Sequence, residues 1–198
     1  MKHLSLVYLP LSLLMHISLN GQNVDIRLLR TFNTSVQLPS DDFFRIVSNT
    51  EPYIVTIMPV AIGGYGLIRH DEKQFRNGCV IASASLICAG ITNILKYSIN
   101  RDRPFVTYTD IQKKSAAGSP SFPSGHTSSA FATATSLSLT YSKWYVIVPA
   151  YGWAATVGYS RMHLGVHYPS DVLAGAFIGA GSACLTHFVN KKLLSRQK

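Results

Sequence analysis

Residues 77–95 read NGCVIASASLICAGITNIL, an uncharged run in which Gly, Ala, Ser and Thr are interleaved with aliphatic side chains. A helix needs roughly 17 to 25 such residues to cross a bilayer, and the small residues let neighbouring helices approach closely in lipid. Four more stretches free of Asp, Glu, Lys and Arg share this texture: YIVTIMPVAIGGYGLI (53–68), TSSAFATATSLSLTYS (127–142), WYVIVPAYGWAATVGYS (144–160) and VLAGAFIGAGSACLTHFVN (172–190). Neither a strand-like alternation nor an internal repeat is evident along the chain. The expectation is an all-α helical bundle with five transmembrane helices. A tightly packed soluble all-α globule is the competing reading.

The N-terminus starts with Lys2, continues through an apolar stretch from Leu4 to Leu19, and ends in small or polar residues around Asn20 and Gly21. That pattern reads as a signal peptide over residues 1–21. The poor match of LNG to a cleavage site leaves a retained signal anchor as the other reading, and either one exports the next part of the chain. Residues 22–198 are then a single domain. Two short amphipathic patterns come first, NVDIRLLRTFN (23–33) and SDDFFRIVSNT (40–50), the second opened by Ser40 as N-cap with Asp41 and Asp42 in the first turn. Neither is long enough to span a membrane.

The chain is 198 residues long, 47% hydrophobic and only 14% charged, with a formal net charge of +9. Its Lys and Arg residues are scattered singly or in pairs, which argues against nucleic acid. Anionic lipid or a phosphorylated substrate suits a basic membrane protein better. Five spans would place the connections 100–124 and 161–170 on the exported side, and would divide Lys and Arg evenly between the two sides, so charge alone sets no orientation. Cys79, Cys88 and Cys184 lie in apolar runs without C-x-x-C spacing and read as packing residues.

The unusual polar residues fall in three segments, each beside the outer end of an apolar stretch. In KYSINRDRP (96–104), Lys96 and Arg103 would share one face of a helix that continued for two turns before Pro104 ended it. In FPSGHTSSAFA (122–132), Pro123, Ser124 and Gly125 open a helix whose first turn carries His126 and free backbone N–H groups, a ready anion site. In SRMHLGVHYPSD (160–171) stand Arg161, His163, His167 and Asp171. Three cations and a helix N-terminus can neutralise a phosphoryl group. Two histidines can cover attack and leaving-group protonation.

The order and spacing K-x6-R-P, P-S-G-H and S-R-x5-H-x3-D, present as Lys96–Pro104, Pro123–His126 and Ser160–Asp171, resembles the type-2 phosphatidic acid phosphatase superfamily. That superfamily also holds soluble bacterial acid phosphatases and vanadium haloperoxidases. The resemblance implies His167 as nucleophile, forming a phosphohistidine, and Asp171 as the carboxylate that fixes its tautomer. It implies His126 as the proton donor to the leaving oxygen, and Lys96, Arg103, Arg161, Ser124 and the Gly125 N–H as the phosphate cradle. No metal or other cofactor is implied. The expected activity is hydrolysis of phosphate monoesters or pyrophosphates of membrane lipids, in a bacterial inner membrane with the site facing the periplasm or exterior. A soluble exported acid phosphatase and a lipid phosphotransferase are the alternatives within the superfamily; a membrane binding or transport protein is the alternative outside it.

Rival readings of the same residues are weaker. His163, His167 and Asp171 are spaced four apart, as helical metal ligands would be, but Gly165 and Pro169 argue against a regular helix and Arg161 would repel a cation. Ser124 lacks the G-x-S-x-G setting of a serine nucleophile. His163 reads as a polar residue at the membrane surface, or else as a substrate contact. Lys113 and Lys114 read as a solvated pair in a polar loop.

Overall fold

The uncharged stretches all fold as helices in the computed structural model, which describes residues 24–34 and 36–195. The expected leader lies outside the described residues. Helix α1 runs over 24–32, α2 over Ser40–Ile68, α3 over Glu72–Ile99, and α4 is a single turn, Pro104–Thr107. After an irregular connection come α5 (Gly125–Thr140), α6 (Trp144–His163) and α7 (Pro169–Ser195). All regular structure among the described residues is helical.

Helix α5 occupies the centre of the bundle, packed against α2, α3, α6 and α7. Apart from Leu137 near its end, its buried residues are small or hydroxylic: Thr127, Ser128, Ala130, Ala132, Thr133, Ala134, Thr135 and Ser136. The α5–α7 contact depends on this. A Cβ at Gly179 would lie 2.1 Å from the Ser128 carbonyl oxygen, so only glycine admits the two backbones at this separation. Large apolar side chains point outward instead, with Phe177 77% and Trp144 76% exposed. Small polar groups inside and bulky apolar groups outside is the arrangement expected of a bundle whose solvent is lipid.

Among the described residues, three segments are long and apolar enough to cross a membrane: Ser40–Ile68, Glu72–Thr107 and Pro169–Leu193. The first corrects the division made from sequence, because the amphipathic pattern 40–50 and the apolar run 53–68 form one helix of 29 residues, continuous through Pro52 and Pro59. Its N-cap is Pro39 rather than Ser40. Asp41 turns inward, accepting from the Leu38 N–H at 3.1 Å and pairing with Lys114 Nζ at 2.9 Å and His163 Nε2 at 2.6 Å. Helix α5 has only 16 residues, about 24 Å at 1.5 Å per residue, and the surrounding helices enclose it.

The chain runs up and down, so α3 and α6 end, and α5 and α7 begin, at the same end of the bundle. The three polar segments meet there. Of the cysteines, Cys88 is buried as expected, while Cys79 and Cys184 are exposed on the outer surface.

Candidate active site

Lys96 and Arg103 reach the site from different pieces of backbone. Helix α3 stops at Ile99 because Asn100 is left-handed (φ 47°, ψ 44°), a conformation asparagine tolerates well. Arg103 is extended, and Pro104 begins α4 instead of ending α3. The shared helix face expected from sequence is therefore replaced by a turn. Both cations are buried and held by carbonyls of the 108–124 connection: Lys96 Nζ donates to Pro120 O at 2.7 Å, and Arg103 Nε donates to Ser119 O at 2.8 Å.

Ser124 caps α5 and Gly125 opens it, as the sequence indicates. The Ser124 N–H is occupied by the Asp171 carbonyl at 3.0 Å, and its hydroxyl accepts from Thr127 Oγ1 at 2.8 Å. The first-turn N–H groups beyond it have no acceptor within the helix. His126, in that turn, has a side chain 36% exposed, the most open among the site's titratable groups, and lies in the electrostatic field of Arg161, Arg103 and Lys96.

His167 sits in the tight loop between α6 and α7. Gly165 makes that loop, with φ +71° and no room for a side chain: a Cβ would lie 2.2 Å from Gln112 O. Asn33 braces the turn, donating to Gln112 O at 3.0 Å and His163 O at 2.9 Å. The His167 ring is 2% exposed; its Nδ1 lies 3.4 Å from Asp171 Oδ2 and its Nε2 3.3 Å from the Arg103 guanidinium. Burial, reinforced by Arg103 and Arg161 and opposed by Asp171, pushes this imidazole down to about 3, so it is neutral at physiological pH.

Asp171 is fully buried and accepts from Arg101 at 2.7 Å, from Ser121 Oγ at 2.5 Å and from the Tyr168 N–H at 3.0 Å. Arg101 in turn lies 3.8 Å over the Tyr168 ring and pairs with Asp25 of α1 at 2.8 Å. Arg161 is buried, donates to Ser48 of α2 at 2.5 Å, and leaves its Nε without a partner. A buried, unpartnered guanidinium N–H beside two further cations is suited to receive an anion.

The structure thus gathers Lys96, Arg103, Ser124, Gly125, His126, Arg161, His167 and Asp171 at one end of the bundle. His163 is excluded. Its Nε2 is engaged by Asp41 and its ring packs against Phe44 and Tyr159, so it is a buried strut and not a surface residue or a ligand. Among the described residues no three His, Cys, Asp or Glu side chains converge as metal ligands would. Lys114 is likewise buried against Asp41, not solvated. Three contributors carried no signal in the sequence: Arg101 and Ser121 on Asp171, and Glu51, whose carboxylate from α2 lies 3.8 Å from His126 Nε2. Glu51 stands just before an apolar run that looks like a helix of its own, and only the inward face of the continuous α2 reveals it.

The fold and the clustered histidines, cations and carboxylate define a helical bundle with a buried polar site at one end. Residues 77–194 match the PAP2 superfamily, and the chain belongs to that family. It is 34% identical over 97 residues to the lipid A 4'-phosphatase of Bacteroides thetaiotaomicron, covering 49% of this chain and 43% of that one. It is 31% identical over 135 residues to the undecaprenyl-diphosphatase BcrC of Bacillus subtilis, covering 63% and 67%. The crystal structure of Aquifex aeolicus LpxE superposes with a TM-score of 0.66 at 26% identity, over 82% of this chain and 94% of that one. The chain covers less than half the length of four of the lipid A phosphatases it matches, and 73% of a fifth, the lipid A 4'-phosphatase of Porphyromonas gingivalis.

Proposed function

We propose that this chain is an integral membrane phosphatase that hydrolyses phosphate monoesters or pyrophosphates of lipids through a phosphohistidine at His167, with no metal ion. The observation that carries the reading is the setting of His167, with a carboxylate at Nδ1, a guanidinium at Nε2 and the charge of Arg161, whose buried Nε has no partner, acting on the ring. Nε2 attacks phosphorus; the P–N bond forms as the P–O bond to the lipid breaks, and His126 gives its proton to the departing oxygen. Water then attacks, the P–N bond breaks, and His126 takes the proton from water. Asp171 keeps the proton on Nδ1 so that the Nε2 lone pair is available. Lys96, Arg103, Arg161, Ser124 and the Gly125 N–H spread the charge of the phosphoryl oxygens.

The five-span reading assigns α5 and α6 to the membrane along with the three longer segments, α5 being shielded by its neighbours. The site then faces the exported side of a bacterial inner membrane. Asp25 supports this orientation: only a few residues beyond the expected leader, it holds Arg101 at 2.8 Å and the Ser170 N–H at 2.8 Å, so the newly exported chain lies at the site end. The substrate classes named for the relatives, lipid A phosphate and undecaprenyl diphosphate, head the panel that tests the reading, followed by phosphatidate and phosphatidylglycerophosphate. Purified protein is expected to release phosphate from at least one of these in EDTA. Loss of activity in EDTA that Zn2+ or Mg2+ restores would overturn the metal-free mechanism.

A further inference from the structure

The reaction needs two histidines, and the structure gives each of them a carboxylate. His167 has Asp171. His126 has Glu51, which reaches across from α2, is buried, and stands with Oε2 3.8 Å from His126 Nε2. That separation is an ion-pair distance just beyond a hydrogen bond, the kind that tightens when substrate fills a site. The other oxygen, Oε1, accepts from Ser129 Oγ, one turn along α5 from His126, so the carboxylate is fixed in orientation rather than swinging freely. Arg161 also feels Glu51, but its guanidinium is hydrogen-bonded to Ser48, one turn earlier on α2; among the described residues the ion pair of Glu51 is with His126.

A carboxylate in a pocket built for phosphate works against substrate binding unless it serves the chemistry. We propose that Glu51 is a positioning residue for the leaving-group proton: it holds His126 through Nε2, leaves Nδ1 as the nitrogen that protonates the departing lipid oxygen, and stabilises the imidazolium that carries that proton. This assignment rests on the phosphohistidine reading. Glu51 balances the charge of His126 when the ring is protonated, and the carboxylate stays where it is as the proton passes to the leaving oxygen when the P–O bond breaks. The same pair receives a proton from water in the second step. Helix α2 thereby supplies a part of the catalytic apparatus that none of the three polar segments contains.

Leaving-group dependence separates this role from a structural one. With kcat/KM, which reports steps through the first departure, a lipid alkyl phosphate requires the proton and 2,4-dinitrophenyl phosphate does not, because its phenolate departs unprotonated. Glu51→Gln is expected to lower kcat/KM for the alkyl ester by about 10- to 100-fold, within the range of general acid catalysis, and by at least tenfold more than for the aryl ester. Glu51→Asp, which keeps the charge, is expected to show the same selectivity with a smaller loss, and serves if the Gln variant does not accumulate. In the His126→Ala background the Gln change is expected to cost nothing further. Equal losses on the two esters, or full additivity with His126→Ala, would overturn the assignment. Turnover of either ester by His167→Ala would instead overturn the underlying phosphohistidine reading.

Discussion

His167 has an imidazole that burial keeps neutral, and its charge state makes a direct prediction. The folded value, about 3, lies below the ordinary value of 6.5, so folding favours the neutral ring. That contribution to stability is fully present above pH 6.5 and is lost as pH falls towards the folded value. In the ligand-free protein, 15N shifts of the His167 ring are expected to report a neutral imidazole at pH 6, and a titration midpoint between 6 and 7 would contradict this. Arg161 offers a second test at the same scale. Lysine keeps the charge but has no Nε fork, so Arg161→Lys is expected to lower kcat/KM by about 10- to 100-fold in a phosphate-release assay. Most of the site was legible in the sequence because cations, histidines and Asp171 stand out beside apolar runs. Arg101 and Ser121 were not, since an arginine in a loop and one serine among many acquire meaning only when Asp171 is seen between them.

At the scale of elements, composition located the helices and backbone conformation corrected their ends. The uncharged runs marked α3, α5, α6 and α7 well. The union of 40–50 with 53–68 was hidden by Pro52, a residue that suggests a break but here lies inside a continuous α2. The turn at Asn100 was hidden because left-handed geometry leaves no periodic trace. Asp41, read as a first-turn acid, is the buried tie between α2, the 108–124 connection and the end of α6. Asp41→Ala is expected to cost about 3 to 5 kcal/mol of stability by leaving Lys114 and His163 buried without their partner. Gly179→Leu is expected to force α5 and α7 apart and lower the thermal midpoint in detergent, at a cost of at least about 1 to 3 kcal/mol. Unchanged midpoints would contradict either packing assignment.

For the whole molecule, the inverted distribution of side chains, with hydroxyls and alanines inside and Phe177, Trp144 and their neighbours outside, ties the fold to lipid. The protein is expected to stay with membranes through alkaline carbonate extraction and to leave them only in detergent; release without detergent would contradict the membrane assignment. Gathering three distant segments at one end of that bundle is what turns ordinary residues into a candidate site, where the phosphoryl group is proposed to pass through His167. The direct measurement is rapid quenching of turnover with a phosphate-labelled lipid substrate, followed by peptide mapping under alkaline conditions that preserve phosphoramidates. Label is expected on Nε2 of His167 and none in His167→Ala, which should release no phosphate. Label on another residue, or phosphate release by His167→Ala, would contradict a phosphohistidine at His167.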